Sequence, residues 1–178
     1  LYPNEFAGHA QGIPDDHLRL LFWKLRTEVD PTRGLTPMGA ALVERMIELR
    51  MVPDVTHATP IARRQIYEAV ANRIPIVASH IGVQTMNAVP YNLERSDVEA
   101  IAASGGAIGV IFMPYWLDQA NPGAGREPIW QTMRTLREWS GSWRHVGIGT
   151  DFDGFTDPAD DWDSAAKLRL VREMLEAN

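Results

Sequence analysis

Three side chains are of a type and placing that would handle a metal ion and a proton: His57, His80 and Asp151. Residues 51–55 lead into Thr56-His57, residues 74–78 into Ser79-His80, and residues 145–150 into Asp151. A lone histidine at a strand end is more often just hydrogen-bonded to a neighbour. Thr150-Asp151-Phe152-Asp153-Gly154 also reads as a turn rich in capping residues. The balance shifts because both histidines fall at the same structural position on consecutive strands. Neighbouring parallel strands lie about 4.8 Å apart, so two imidazoles at one rim reach an ion between them. Asp151 shares strand parity with Gly147 and Gly149, small residues suited to a crowded interior, and is preferred to Asp153 as the third ligand. Such a site binds a hard or borderline dication and lowers the pKa of bound water toward about 7. With two ions a bridging hydroxide would attack a polarised carbonyl, and the aspartate would accept the proton and return it to the leaving group.

Other candidates are weaker. His145 starts a strand, the wrong end for catalysis, while His9 and His17 lie in a leading segment and are expected in solvent, although the loop of His9 could reach the rim. Ser79 and His80 are adjacent, and neighbours on a regular strand point to opposite faces, which argues against a serine–histidine pair. The six tryptophans raise sugar binding, but only Trp116, beside Tyr115, follows a strand end.

The elements that must position these residues alternate. Strand-like runs at 51–55, 74–78, 107–113 and 145–150 are short and apolar or small on both faces, as parallel strands covered on both sides read. Thr36-Pro37 and Thr59-Pro60 each place a capping hydroxyl before a proline at the first helical position. Leu42, Val43, Met46, Ile47 and Leu49 form one apolar face after the first, and Ile66 and Val70 follow the second. Ser96-Asp97-Val98-Glu99 fits a capping box, with a stop at Gly105-Gly106. Ile129, Met133, Leu136 and Trp139 share a face, as do Leu168, Val171, Met174 and Leu175, and an early helix is expected over residues 14–25.

The chain has 178 residues, with 45% apolar and 22% charged residues, which excludes wholesale disorder. Its net charge of −6, without a basic run, makes it a poor candidate for nucleic acid or an anionic membrane. No apolar stretch approaches the ~20 residues of a membrane helix. Without cysteine, any transition metal must sit on histidine and carboxylate. There is no initiator methionine and no signal-like start, so the chain is expected to begin inside a longer protein. A cytoplasmic location is the expectation for that protein, although this start does not determine it.

Strict alternation implies a parallel sheet. An open doubly wound sheet fits, and so does part of an eight-stranded βα barrel, which when complete needs ~250 residues. Chemistry-bearing residues at the carboxyl ends of separate strands favour the barrel. The absence of a glycine-rich phosphate loop weakens nucleotide binding. The expectation is therefore an α/β chain of the (β/α)8 TIM-barrel type covering roughly strands five to eight. Residues 1–178 would be one partial domain, with 1–33 a leading loop and helix. Such a half would expose two sheet edges, so poor solubility or association with a complementary half is expected.

These runs together resemble the renal (membrane) dipeptidase family of metallopeptidases, in the amidohydrolase superfamily. The resemblance is carried by Gly34-Leu35-Thr36-Pro37-Met38-Gly39, Met51-Val52-Pro53-Asp54-Val55-Thr56-His57, Pro75-Ile76-Val77-Ala78-Ser79-His80 and Val146-Gly147-Ile148-Gly149-Thr150-Asp151-Phe152-Asp153-Gly154. Asn4-Glu5-Phe6-Ala7-Gly8 is similar to a further loop of the family. The resemblance implies a zinc-dependent dipeptidase with two ions in the intact protein. It implies that His57 and His80 bind the second ion, and that Asp151 contacts the first and acts in proton transfer. It also implies that the remaining ligands, a His-x-Asp and a bridging carboxylate, lie upstream of Leu1. Family members carry an arginine for the substrate carboxylate just before an asparagine, whereas here Tyr91 precedes Asn92. A phenol does not replace a bidentate guanidinium, and nothing in the sequence places Arg95 to do so. Tyr91, Asn92, Tyr115 and Trp116 are the expected substrate contacts, with Phe112 as pocket wall or core. The expected substrate is a dipeptide or an N-acyl amino acid, and a homodimer is left open. The rivals are hydrolysis of another small amide or a lactone, and a non-catalytic barrel fragment.

Overall fold

The computed structural model describes residues 32–118, 125–154, 162 and 164–177, with the side chain of Tyr115 left aside. The expected helix at 14–25, His9, His17 and the 4–8 motif lie outside the described residues.

Helix α1 (Pro37–Glu48) begins where Thr36 Oγ1 accepts the N–H of Gly39 at 3.0 Å. Helix α2 (Pro60–Val70) begins in the same way, with Thr59 Oγ1 accepting from Ala62 N–H at 3.1 Å. Both satisfy an amide that a helix start otherwise leaves unpaired. Of the apolar face expected on α1, Val43 and Ile47 are buried, whereas Leu42 and Leu49 are exposed. The capping box also falls two residues earlier than expected. Glu94 is the cap and Asp97 bonds back to its N–H at 2.9 Å, opening α3 (Arg95–Ala103). Strand β1 (Val77–Ile81) precedes α3, and β2 (Ala107–Val110) follows it. A short α4 (Pro114–Leu117) leads toward α5 (Arg126–Ser140), whose Ile129, Met133 and Leu136 are buried. Strand β3 (Val146–Ile148) and α6 (Arg169–Glu176) complete the order, with Val171 and Met174 of α6 buried.

The sheet corrects the expected barrel. Among the described residues it is a small parallel sheet of three strands in the order β1-β2-β3, not a closed barrel of eight. Residues 51–55 do not form a fourth strand; they contribute one bridge, Asp54 to Val77. Two hydrogen bonds make it, Val55 N–H to Val77 O (2.8 Å) and Val77 N–H to Pro53 O (3.0 Å). Pro53 has no N–H to extend the ladder, Met51 and Val52 are exposed, and the chain turns away at His57. At the other side β3 is an edge among the described residues, with Ile148 exposed. Alternating strands and helices specify each local crossover but not closure, which depends on what flanks the outer strands.

Helix α5 packs on β2, β3 and α3, and α3 on β2 and α2. The core between them includes Ile76, Ile81, Ile101, Ile108, Ile129 and Leu136, all buried. Among the described residues no helix is long and apolar enough to cross a membrane.

Candidate metal and proton-transfer site

His57, His80, Trp116 and Asp151 come from four separate segments, each at or just beyond the carboxyl end of a parallel element. That is where open α/β sheets place ligands. Val55 O accepts the N–H of Ala58 at 3.1 Å, closing a turn with His57 at its third position and φ of 68°. Asp151 follows β3 with φ of 55°, and Asp153 has φ of 68°. A left-handed conformation at a residue with a Cβ costs about 1–3 kcal/mol and persists only where the surroundings enforce it.

Asp54 supplies part of that enforcement. Its Oδ1 accepts N–H groups from both Thr56 (3.0 Å) and Ser79 (3.1 Å), tying the His57 turn to β1. Strand β1 is irregular, its pairing with β2 shifting between Ala78 and Ile81. An irregularity of this kind re-aims side chains. It overturns the expectation that Ser79 and His80 point apart: Ser79 Oγ lies 2.9 Å from His80 Nδ1. Gly149 permits the arrangement, because a Cβ there would stand 1.8 Å from the carbonyl oxygen of Ser79. The expected crowding thus holds at Gly149, while Gly147 has only Ile108 O, 3.8 Å from its notional Cβ.

The outcome is a converging pair. His57 Nε2 and His80 Nε2 are 2.9 Å apart, and Asp151 Oδ1 is 4.0 Å from His80 Nε2. Two zinc–nitrogen bonds at tetrahedral angles would set the nitrogens about 3.3 Å apart. The two imidazoles therefore fit two positions of a zinc ion after a shift of a few tenths of an ångström. Among the described residues no group of three His, Cys, Asp or Glu is arranged to hold a metal ion.

The expected substrate contacts are placed differently from one another. Trp116 is buried, its ring 5.7 Å from that of His57 and 4.3 Å from that of Tyr91. Asn92 is wholly buried and fully engaged. Its Oδ1 accepts from Trp116 Nε1 (2.6 Å) and Gly82 N–H (3.1 Å), and its Nδ2 donates to Asn87 O (2.9 Å) and Trp116 O (3.2 Å). Asn92 thereby holds Trp116 against His57. Tyr91 is buried, and burial pushes its hydroxyl up to about 12. Phe112 packs on Phe152 and Trp162 in the core. Arg95 pairs with Glu99 on the surface of α3 (3.1 Å), and His145 Nδ1 lies 2.8 Å from Gly106 O, at the opposite end of the sheet. Tyr115 lies in α4 and its side chain is outside the described residues.

Sequence reasoning missed the buried pair that braces this region. Arg63 Nε and Nη2 meet Asp97 Oδ1 and Oδ2 at 3.2 and 3.0 Å, and Arg63 Nη1 donates to Ala58 O and Pro90 O, both at 3.2 Å. A signal existed: Arg63 lies on the α2 face of Ile66 and Val70, at spacings that put it inside. The Asp97 charge, together with the larger effect of burial, holds the Tyr67 hydroxyl well above the ordinary tyrosine range.

Comparison with known proteins follows this geometry. The family described as membrane dipeptidase (peptidase family M19) matches residues 23–178. An uncharacterized dipeptidase of Schizosaccharomyces pombe is 27% identical over 68% of this chain and 29% of its own length. Dipeptidase verJ of Clonostachys rogersoniana is 25% identical over 80% of this chain and 36% of its own. Among solved structures, a metallopeptidase of Rhodobacter sphaeroides bound to a phosphinate mimic of L-Ala-D-Ala superimposes with a TM-score of 0.74 at 24% identity, over 85% of this chain and 44% of that one. The probable dipeptidase PvdM of Pseudomonas aeruginosa gives 0.76 at 22% identity, over 99% and 55%. The chain thus spans about a third of these curated relatives and about half of the solved structures, and shares the fold of the part it covers. With the match running through the three motif runs that hold His57, His80 and Asp151, this chain belongs to the membrane dipeptidase family of metallopeptidases.

Proposed function

We propose that this chain contributes to the active site of a hydrolase that opens the amide or lactone bond of a small substrate. His57 and His80 would hold the metal ion, and Asp151 would act in proton transfer. The observation that carries this reading is the approach of the two Nε2 atoms to 2.9 Å with a carboxylate oxygen 4.0 Å from one of them. When bound, zinc, expected as two ions in the intact protein, would supply Lewis acidity and an activated water. Asp151 Oδ1 is the atom positioned to take a proton and pass it to the leaving group. Trp116 closes one side of His57 with an apolar wall, which excludes water there and limits the ring's movement.

A small neutral amide or a lactone fits this chain better than a free dipeptide. Tyr91, at the position of the family's arginine, is buried and neutral, and offers no charge to a substrate carboxylate. Arg95 is engaged with Glu99. A second reading, a non-catalytic member of the family, is favoured by the lack of a three-residue metal cluster among the described residues.

The test combines zinc content by elemental analysis with a panel of dipeptides, N-acyl amino acids, small uncharged amides and lactones. Stoichiometric zinc that disappears in the His57→Ala/His80→Ala double variant, with turnover of an uncharged amide or a lactone, is the expected result. Undiminished zinc in that variant removes the ligand assignment. Zinc binding without turnover of any panel member favours the non-catalytic reading.

A further inference from the structure

We infer that Ser79 is a positioning residue that decides which ring nitrogen of His80 presents its lone pair to a metal ion. The inference rests on the His57–His80 donor pair proposed above. An imidazole binds a metal through a nitrogen that carries no proton, and the hydrogen bond at the other nitrogen selects which one that is. Ser79 Oγ stands 2.9 Å from His80 Nδ1 and 3.4 Å from Thr56 Oγ1, the acceptor to which we assign its single hydrogen. That leaves a lone pair on Ser79 Oγ to accept, so the proton of His80 sits on Nδ1. The lone pair of Nε2 then points at His57 Nε2, 2.9 Å away.

The serine is itself held. Its N–H is bound by Asp54 Oδ1 at 3.1 Å, and Gly149 leaves its carbonyl oxygen room that a Cβ would take, at 1.8 Å. Thr56, the far partner of the hydroxyl, is fixed by the same Asp54 oxygen at 3.0 Å. Without the hydroxyl, the intrinsic preference of a neutral histidine for a proton on Nε2 takes over. The proton then occupies the atom that faces His57.

The experiment compares the 178-residue chain with its Ser79→Ala and Ser79→Thr variants, at a pH where both imidazoles are neutral. Long-range proton–nitrogen spectra of the rings report the tautomer, and competition with a chelating dye reports the affinity for zinc ion. The expected result is an Nδ1-protonated His80 in the parent chain and a shift toward Nε2–H in Ser79→Ala. Ser79→Ala should also weaken zinc binding by roughly 10-fold or more, with recovery in Ser79→Thr. An Nε2-protonated His80 in the parent chain, or an unmoved tautomer in Ser79→Ala, overturns the inference. His57→Ala and His80→Ala serve as controls. If they bind zinc as the parent does, the donor-pair reading fails, while the tautomer comparison still decides the role of Ser79.

Discussion

Two polar clusters lie close together in sequence and differ in how their atoms are satisfied. Around Arg63 every charge meets a complement: the guanidinium faces the Asp97 carboxylate and backbone carbonyls, and both side chains are almost entirely out of water. Around His57 and His80, nitrogen faces nitrogen, a carboxylate stands 4.0 Å off, and the backbone is left-handed at His57 and Asp151. The first arrangement holds a loop in place. The second brings two ring nitrogens and a carboxylate together in a part-buried place, at a cost in local strain. Fully complemented charge marks where the fold is secured, and a strained meeting of titratable side chains marks where chemistry is proposed.

The sharpest way to break this contrast is to remove one partner of the buried pair. Asp97→Ala should lower stability by about 3–5 kcal/mol, because it strands a buried guanidinium, and urea denaturation reads it directly. A loss below 1 kcal/mol would show that water reaches Arg63 and that the cluster is not the secured one. Next in size is Asn92→Ala, which leaves the Trp116 Nε1–H and the Gly82 N–H without their acceptor. The expected loss is about 2–3 kcal/mol, with a change in Trp116 fluorescence, since the ring is no longer held against His57.

At the other cluster the sign should reverse. His57→Gly removes the strain of φ at 68° and should stabilise the chain by roughly 0.5–1 kcal/mol while abolishing zinc binding. A destabilised variant would show that the imidazole contributes more through packing on Trp116 than it costs through its backbone. A further effect is in alkali. Tyr91 titrates near 12 when folded, against an ordinary value of about 10. Its contribution is complete below pH 10 and declines as pH rises toward 12, because the unfolded chain releases that proton first. Denaturation midpoints measured in steps across this window should fall for the parent chain and fall less for Tyr91→Phe.

What could be read from the residues alone follows from the range of the forces involved. The caps at Thr36 and Thr59 were legible because a hydroxyl, a proline and the third amide onward lie within four residues. Among the described residues the order of the helices and of the last three strands was legible for the same reason. The cap at Glu94 was misplaced by two residues because Ser96 is an equally good capping type, and Asp97 serves a distant arginine as well as its own helix. Closure of the sheet was not legible. Residues 51–55 have a strand's composition, yet Pro53 limits them to one bridge. The convergence of His57 and His80 was legible from their equal places after two runs that lie side by side, although only the second run is a strand. The contact of Ser79 with His80 did not, because alternation along a strand predicts the opposite and only the register shift with β2 reverses it.

That kink in β1 bears on any attempt to make the protein more robust. Redesign that restored even pairing with β2 would add ladder hydrogen bonds and raise heat resistance. It would also turn hydroxyl and imidazole back to back, yielding a sturdier scaffold with a disarmed rim. Screens that reward melting temperature alone would favour such variants, so selection here has to score the proposed metal binding alongside thermal tolerance.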